Sequence, residues 1–516
     1  MNNEEIVKKD VMDERLKKVK NWFKKPSNIA LFLIILLSLT IGLRYFNINS
    51  TVWWDEADYV AGAKYFSGMK NTNYAFDPHR PIGMHVLWGI IFFLGGGESL
   101  AHFTVFIFSM LLVIFTYLLG KEMFNKTVGL IAAFMISTFW LQIFLTSRLL
   151  VVMPGVSLAI MSLYFFWKGY IKNKGNRYLA LFSIFLALSF LSRAQSLLAI
   201  LLVGCFIIIT EKHRFLKNKK FWIILIVGFL VLLPYLLFLQ FSPLSGESVL
   251  GKKGIGGLIE FKGRTTGLIG LKGVIDMAKA FPRILTFPYF IISLFSLIVF
   301  STLFLFLDKT LIKSYRRFYP HLFLFMWTFG FIIHIAAFVR PIGYIEPYYL
   351  FYSFPTLFIA AGAGIKFTYN FLKKNYSILS KIFVIVIMAL LLFAAYTNIT
   401  SAHKNILSKK DSYLPVKQAG EWIKENSDEK DVVFTMSAPQ TIYYAERKVY
   451  RFSRLNQTEF GLLIEEHKPK FFIVSIFEKH PDWAYTYPQE HNDTLVPVQA
   501  YQQNGQPVLV IYEFKY

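Results

Sequence analysis

The sequence predicts an α-helical polytopic membrane protein that carries a small α/β domain at its C-terminal end. Hydrophobic residues make up 55% of the 516 residues and aromatic residues 18%. Many of them lie in long apolar runs, and about 20 apolar residues are enough for a helix to cross a bilayer. Beyond residue 397 these runs stop and the composition becomes that of a small soluble domain.

Twelve apolar runs are candidate membrane helices. They lie near residues 29–47, 82–97, 100–119, 128–146, 150–167, 178–192, 195–210, 221–240, 284–307, 320–338, 346–365 and 378–397. The run 82–97 is short, follows Pro81 and ends in three glycines, which favours an interfacial or re-entrant helix. We therefore expect about eleven transmembrane helices plus juxtamembrane helices.

The basic residues fix the expected orientation. The formal net charge of +23 comes largely from short clusters between the apolar runs, which interact with lipid headgroups and predict no nucleic-acid partner. These clusters lie at 121–126, 168–177, 212–220, 309–317 and 366–374, alongside the basic N-terminus. If 82–97 does not cross, all of them lie on one side, as the positive-inside rule requires. We expect a multi-pass protein of the cell membrane with a cytoplasmic N-terminus.

This orientation divides the chain into three parts. Residues 1–28 form a cytoplasmic basic segment, 29–397 a transmembrane domain, and 398–516 an extracytoplasmic domain. The transmembrane domain exposes two long outer loops, 48–100 and 241–283. The outer domain alternates predicted helices, 416–425 and 459–467, with predicted strands, 432–434, 471–474 and 508–512. Disulfides are not expected, because Cys205 is the single cysteine.

An acidic segment directly after the first apolar run indicates chemistry on the outer face. It places Asp55, Glu56 and Asp58 among aromatic residues, in Trp54-Asp55-Glu56-Ala57-Asp58-Tyr59. An apolar spacing predicts that this segment is an amphipathic helix on the membrane surface: Trp54, Tyr59, Ala63 and Phe66. A carboxylate partly desolvated by aromatic neighbours can serve as a general base. The alternative is that the acids are solvated loop residues or favourable charges at a helix N-terminus.

The acidic segment and the residues after it resemble the first outer loop of the GT-C glycosyltransferases. These include the protein O-mannosyltransferases and the aminoarabinose transferases of lipid A, glycosyltransferase families 39 and 83. The resemblance continues through Asp77-Pro78-His79-Arg80-Pro81-Ile82-Gly83. Weaker matches follow in the same order along the chain, at 121–134, 190–193, 234–235, 344–355 and 443–447.

The resemblance implies an enzyme that transfers a sugar from a polyprenyl-phosphate donor to an acceptor hydroxyl on the outer face, with inversion. The acceptor would be a lipid, a glycan or a protein. In this interpretation Asp55 is the general base. Donor and acceptor would be positioned by Glu56, Asp58, Tyr59, His79 and Arg80. Tyr344 and Glu346, at the outer ends of two runs, are further candidates for sugar contacts, with an ordinary aromatic belt as the alternative.

The departing phosphate requires cations or amide donors. Six basic residues of the outer face are candidates: Arg148, Arg193, Lys252, Lys253, Arg264 and Arg340. Arg148 and Arg193 interrupt apolar stretches, where a charge is costly and often functional, although snorkelling to the interface would also explain them. The lysines belong to a Gly- and Lys-rich loop that could cradle a phosphate or simply be solvated.

No metal site or other cofactor is predicted. Several relatives carry an acid in the turn after the third membrane helix, but this chain reads Ser147-Arg148-Leu149-Leu150 there. A divalent metal is possible in principle, and cationic side chains are the simpler way to neutralise the phosphate.

Two other functions remain open at this stage. A lipid or sugar-lipid flippase would use intramembrane arginines to bind phosphate, but it would be expected to carry acids within its spans, which are nearly free of Asp and Glu. An oligosaccharyltransferase would carry a Trp-Trp-Asp-Tyr-Gly signature in its outer domain, which is absent from this sequence. The sequence does not specify the sugar, the acceptor or the oligomeric state.

Overall fold

The computed structural model describes residues 20–69, 71–74, 80–241, 270–306, 318–338, 346–503 and 505–516. Every one of the twelve predicted apolar runs contains a helix. Ten helices precede residue 242: α1 Pro26–Tyr45, α2 Trp54–Phe66, α3 Gly83–Phe93, α4 Glu98–Met123, α5 Lys126–Thr138, α6 Trp140–Thr146, α7 Val152–Phe166, α8 Asn176–Ser192, α9 Ser196–Glu211 and α10 Lys219–Phe241. Five more follow up to residue 409: α11 Gly270–Leu285, α12 Phe287–Phe306, α13 Tyr319–Phe338, α14 Phe354–Asn375 and α15 Ser377–Lys409.

The predicted membrane fold is confirmed. Within the described residues, seven helices are long and apolar enough to span a bilayer, and nine spans result if each of two bent helix pairs counts as one. The bends are 58° between α5 and α6 and 119° between α11 and α12. Helix α3 has 11 residues, so it is about 16 Å long, half of what a crossing requires.

Helix α7 lies at the centre of the bundle and packs against α4 and α8. It is apolar on every side, as expected for a helix surrounded by other helices, and most of its residues are buried. A π-helical turn, Trp167–Ile171, continues it into the basic loop 172–174. Helix α7 begins directly after the turn that carries Arg148, and the π-helical turn ends at the basic loop. The helix therefore connects the Arg148 turn to this loop.

Helix α2 packs against α3 on one side and against the C-terminal domain on the other. The close contact with α3 depends on glycine, since a Cβ atom at Gly89 would lie 3.0 Å from the carbonyl oxygen of Ala63. Ala57, Val60 and Ala61 are fully buried. The predicted helix is therefore present, but it is enclosed by protein to a greater extent than a helix lying on the membrane surface.

The C-terminal domain contains a mixed sheet of five strands in the order β2-β1-β3-β5-β4. The strands are β1 Val432–Phe434, β2 Lys448–Tyr450, β3 Phe471–Ser475, β4 Leu495–Gln503 and β5 Gln506–Phe514. Strands β1, β2 and β3 are parallel, and β5 pairs antiparallel with β3 and β4. The helices of this domain are α16 Leu414–Glu425, α17 Ala438–Ala445, α18 Gln457–His467 and α19 Trp483–Glu490.

All five elements predicted for this domain are present, and the predicted α/β class is confirmed. Strands β2 and β4 were not predicted, because β2 has only three residues and β4 carries Pro497 and several polar residues. Helix α15 continues to Lys409, past the boundary at 397 expected from the composition. Its last turns bring Asn405 and Lys409 to the candidate site described below.

Candidate active site

The first turn of α2 directs two adjacent carboxylates into different environments. Successive side chains of an α-helix point about 100° apart, so neighbouring residues cannot share one face. The Asp55 side chain retains 53% of its exposure, whereas that of Glu56 retains 2%. Asp55 therefore faces a cavity open to solvent, and Glu56 faces the protein interior.

Glu56 forms a buried ion pair with Arg148. The Nε and Nη2 groups of Arg148 donate to the two oxygens of the Glu56 carboxylate, the Nη2 bond measuring 2.7 Å. The same carboxylate accepts a 2.9 Å hydrogen bond from the backbone N–H of Trp53, which caps the start of α2. Glu56 thus joins α2 to the turn before α7.

Burial raises the pKa of the Glu56 carboxyl, because desolvation disfavours its charged form, and the Arg148 guanidinium opposes this rise. With three donors already directed at it, Glu56 has a structural role in the described site. The resemblance implies that Glu56 positions the substrate, which this arrangement would allow only indirectly, through α2.

Asp55 lies beside Arg80, which also contacts Asp58. The Nη2 group of Arg80 is 3.3 Å from the Oδ1 of Asp55 and 2.7 Å from the Oδ2 of Asp58. Its guanidinium carbon is 4.7 Å from the centre of the Tyr59 ring. Burial disfavours the charge on Arg80, but Tyr59 and the two aspartates outweigh this effect and raise its pKa. The structure thus brings three predicted site residues, Asp55, Asp58 and Tyr59, together around a fourth, Arg80.

A cavity of about 1140 Å³ opens next to Asp55. Its ionisable lining combines acids with cations: Asp55, Glu56, Asp276 and Glu346, and Arg148, Lys279, Arg283 and Lys409. Six aromatic residues also line it: Trp53, Trp54, Trp140, Phe144, Tyr348 and Tyr413. Such a mixture of flat aromatic surfaces, carboxylates and cations suits a ligand that carries both a sugar and a phosphate.

Arg148 contributes to the cavity wall from a buried position. Its guanidinium carbon is 3.4 Å from the centre of the Trp53 ring, and the ammonium of Lys409 is 5.3 Å from the same ring. The Nη1 atom of Arg148 has no hydrogen-bond partner among the described residues. Arg148 is therefore held by Glu56 and Trp53, and the two N–H donors of its Nη1 group bond to none of the described residues.

Arg193 lies with the aromatic residues near the cavity. Its Nε donates to Gln195 at 3.1 Å, and its guanidinium carbon is 5.6 Å from the ring of Tyr348. Tyr348 lines the cavity and is close enough to Asp55 and Glu346 to interact with them electrostatically. Burial is the main reason that the pKa of Tyr348 is raised. Arg193 itself is not among the residues that line the cavity.

The C-terminal domain completes the rim of the cavity. Tyr413, in the connection between α15 and α16, donates to the Glu478 carboxylate at 3.2 Å. The guanidinium carbon of Arg451 is 4.8 Å from the centre of the Trp54 ring. Behind the rim, the Tyr444 hydroxyl accepts from the backbone N–H of Val52 at 3.0 Å. The C-terminal domain therefore contacts the segment that positions Asp55.

Six predicted site residues lie outside the described part of the chain: His79, Lys252, Lys253, Arg264, Arg340 and Tyr344. Their roles stay predictions. Other residues that line the cavity were not predicted from the sequence: Trp140, Asp276, Lys279, Asn405, Lys409 and Tyr413. Lys279 and Lys409 lie on helices far apart in the sequence, and only the fold brings them to the cavity beside Asp55.

Among the described ranges, no three His, Cys, Asp or Glu side chains are grouped so that they could hold a metal ion. Two carboxylates of α2 are instead directed at arginines, Glu56 at Arg148 and Asp58 at Arg80. These ion pairs account for the two carboxylates, and the reaction proposed below uses no metal ion.

Similarities to known proteins agree with this architecture. The family model for dolichyl-phosphate-mannose-protein mannosyltransferase matches residues 78–238. No curated protein sequence matches the chain. A crystal structure of ArnT from Cupriavidus metallidurans bound to undecaprenyl phosphate is similar with a TM-score of 0.61 and 12% identity, over 93% of this chain and 97% of that one.

The archaeal oligosaccharyltransferase AglB from Archaeoglobus fulgidus, in complex with an inhibitory peptide and a dolichol-phosphate, is similar with a TM-score of 0.60 and 15% identity. The similarity covers 88% of this chain and 70% of that one. At these identities the solved structures establish the fold alone. The resemblance predicted from the sequence is confirmed: the chain has an ArnT-like fold, and its residues 78–238 match the model of the mannosyltransferase family.

Proposed function

We propose that this protein is a membrane glycosyltransferase that moves a sugar from a polyprenyl-phosphate carrier to an acceptor hydroxyl, with inversion and with Asp55 as the general base. One observation carries the proposal. A half-exposed carboxylate, Asp55, faces a cavity whose walls also carry Lys279, Arg283 and Lys409. The reaction needs a base for the acceptor and cations for the departing phosphate in a single space.

In the proposed reaction Asp55 takes the proton of the acceptor hydroxyl as its oxygen attacks the anomeric carbon of the sugar. The bond between that carbon and the phosphate oxygen breaks, and the carrier phosphate leaves with the electron pair. Attack and departure occur on opposite faces of the sugar, which inverts the anomeric centre. Arg80 donates a hydrogen bond of 3.3 Å to the Oδ1 of Asp55, which limits the positions that this carboxylate can adopt.

The cations of the cavity would stabilise the phosphate as its charge develops. Lys279 and Arg283 come from α11 and Lys409 from α15, so they approach from elements other than the one that holds Asp55. The undecaprenyl phosphate bound to ArnT and the dolichol-phosphate bound to AglB support a polyprenyl phosphate as the carrier. Trp54, Tyr348 and Tyr413 offer flat surfaces on which a sugar ring can stack.

Transfer of a whole oligosaccharide is a second candidate, favoured by the fold shared with AglB and by a cavity larger than one sugar requires. A donor panel separates the two. It should contain polyprenyl-phosphate monosaccharides and lipid-linked oligosaccharides, with release of the carrier as the readout.

The proposal is tested by incubating the purified protein with this panel. We expect carrier release from one class of donor, at least about 100-fold slower in Asp55→Asn, the usual contribution of a positioned base. Asp276→Asn is the matched comparison, since it removes another carboxylate from the same cavity, and we expect a much smaller loss. Release that is unchanged in Asp55→Asn would exclude the proposed base. If no donor is cleaved, a transport function replaces the enzymatic one.

A further inference from the structure

A second cavity lies at the opposite end of α7 from the candidate active site. The turn before α7 carries Arg148 into the first cavity, while the π-helical turn after α7 lines a cavity of about 800 Å³. The continuous segment Val152–Ile171 has 20 residues, about 30 Å at the rise of an α-helix. This length equals the hydrocarbon thickness of a bilayer. The second cavity therefore opens at the other membrane surface, which the charge pattern predicts to be cytoplasmic.

The ends of several helices form this second cavity. They are the last residues of α4, the π-helical turn, the end of α9, the start of α10 and the start of α13. The ionisable lining is mainly basic, with three lysines and one carboxylate: Lys172, Lys174, Lys220 and Glu211. The other walls are aromatic and apolar, and include Phe124, Trp167 and Tyr319. The cavity therefore combines a basic part, formed by the lysines, with an apolar part, formed by the aromatic residues.

Two of the lysines are held in place by backbone groups. The Lys172 ammonium donates to the Glu122 carbonyl oxygen at 2.7 Å and lies 3.1 Å from its carboxylate. The Lys220 ammonium donates to the carbonyl oxygen of Tyr170 at 3.1 Å. Among the described residues, no carboxylate is paired with the exposed side chain of Lys174. Lys174 is thus the cation best placed to meet a ligand.

The π-helical turn shapes the wall next to these lysines. Such turns are rare and are frequent at functional sites, because one extra residue widens the helix. Here the turn carries Trp167 and Tyr170 to the cavity, and Asn173 follows it with a positive φ of 57°. Asn is one of the few residues that adopt this conformation readily. The lysines on either side of Asn173 are thereby directed toward the cavity.

We propose that this second cavity binds the phosphate headgroup of an anionic membrane phospholipid, with Lys174 and Lys220 as its principal cations. Basic pockets between helices at the membrane surface suit such headgroups. A lipid fits better than a soluble phosphate, since the apolar wall formed by Phe124, Trp167 and Tyr319 would cover the glycerol and the upper acyl chains. The site is separate from the candidate active site and does not depend on the proposed glycosyl transfer.

The test measures lipid binding by the full-length protein in phosphatidylcholine nanodiscs that contain increasing fractions of phosphatidylglycerol. Bound lipid is counted by native mass spectrometry after release from the disc. We expect specific retention of phosphatidylglycerol, about fivefold weaker in Lys174→Gln and weaker still in Lys174→Glu. Lys217→Glu is the matched control, because Lys217 is exposed on the same predicted surface and does not line the cavity.

Three outcomes would overturn the proposal. Equal retention of phosphatidylglycerol in the wild type and in both Lys174 variants would exclude the proposed binding site. An equal loss in Lys217→Glu would show general attraction of a basic surface. Competition by soluble glycerol 1-phosphate at the concentration of the lipid headgroup would assign the cavity to a soluble phosphate. Melting temperatures in pure phosphatidylcholine check that each variant is folded.

Discussion

The two faces of α2 differ in almost every physical respect, although their carboxylates are adjacent in the sequence. Glu56 is buried, bonded to Arg148 through both oxygens and bonded to the backbone of Trp53. Asp55 is half-exposed, faces a large cavity and has one long contact with Arg80. A buried carboxylate that accepts three hydrogen bonds organises a structure, while an accessible one can exchange a proton. Burial therefore separates the structural role from the chemical role within a single helical turn.

The largest expected effect on stability comes from breaking the buried pair. Arg148→Ala leaves the charge of Glu56 buried without a partner, and removal of one member of such a pair costs about 3–5 kcal/mol. We expect a comparable loss in the free energy of unfolding, measured by chemical denaturation in detergent. Replacing both residues, as in Glu56→Gln with Arg148→Met, should cost less than Arg148→Ala alone. A cost near zero for Arg148→Ala would contradict the structural role of the pair.

The next effect concerns the exposed face. If the cavity cations neutralise the departing phosphate, Lys279→Gln, Arg283→Gln or Lys409→Gln should slow carrier release by on the order of 100-fold, as for the loss of one preorganised electrostatic group. The unfolding midpoint should change little. Lys64→Gln is the control, because Lys64 is on α2 but pairs with Glu446 and does not line this cavity. Equal slowing in the control and in all three variants would contradict a phosphate-binding role.

The smallest effect is expected at the other end of α2, where Glu446 forms partly buried ion pairs with Lys64 and Lys424. Glu446 accepts hydrogen bonds from Lys424 and Lys64, and these outweigh the effect of burial and lower its pKa below the ordinary 4.5. A lowered carboxyl pKa contributes stability that is present above pH 4.5 and is lost as the pH falls through the folded-state pKa.

We therefore expect Glu446→Gln to lower the free energy of unfolding at pH 7 by less than about 1 kcal/mol, and with it the melting temperature. At a pH well below 4 the substitution should have no effect on either quantity. Thermal melts of the wild type and the variant across this range measure the difference. A difference that persists at the lowest pH would show that the substitution acts through packing and not through charge.

Much of the fold could be predicted from the sequence, because hydrophobicity is a local property. Each apolar run became a helix, and the shortness of α3 follows from Pro81 and the three glycines at 95–97. The five predicted elements of the C-terminal domain also depend on local patterns. Strand β4 was missed because its pairing with β5, and not its own composition, stabilises it.

The site was predictable only in part. Asp55 was identified by its position and its resemblance to a family, and Arg80 by the same motif. The partner of Glu56 could not be identified, because Arg148 is 92 residues away and carried no signal beyond its place in an apolar stretch. Lys279 and Lys409 are ordinary basic residues in the sequence. Tertiary structure alone makes them neighbours of Asp55, through the bend between α11 and α12 and the length of α15.

The most direct test measures carrier release and the unfolding midpoint in the same preparations of Asp55→Asn and Glu56→Gln. We predict opposite results for the two neighbours. Asp55→Asn should lose at least about 100-fold in rate with a stability change below about 1 kcal/mol, since its contact with Arg80 is exposed. Glu56→Gln should lower the midpoint markedly, while its folded fraction keeps most of the rate. If Asp55→Asn retains the wild-type rate, or if Glu56→Gln abolishes the rate without loss of stability, the assignment of the two roles is wrong.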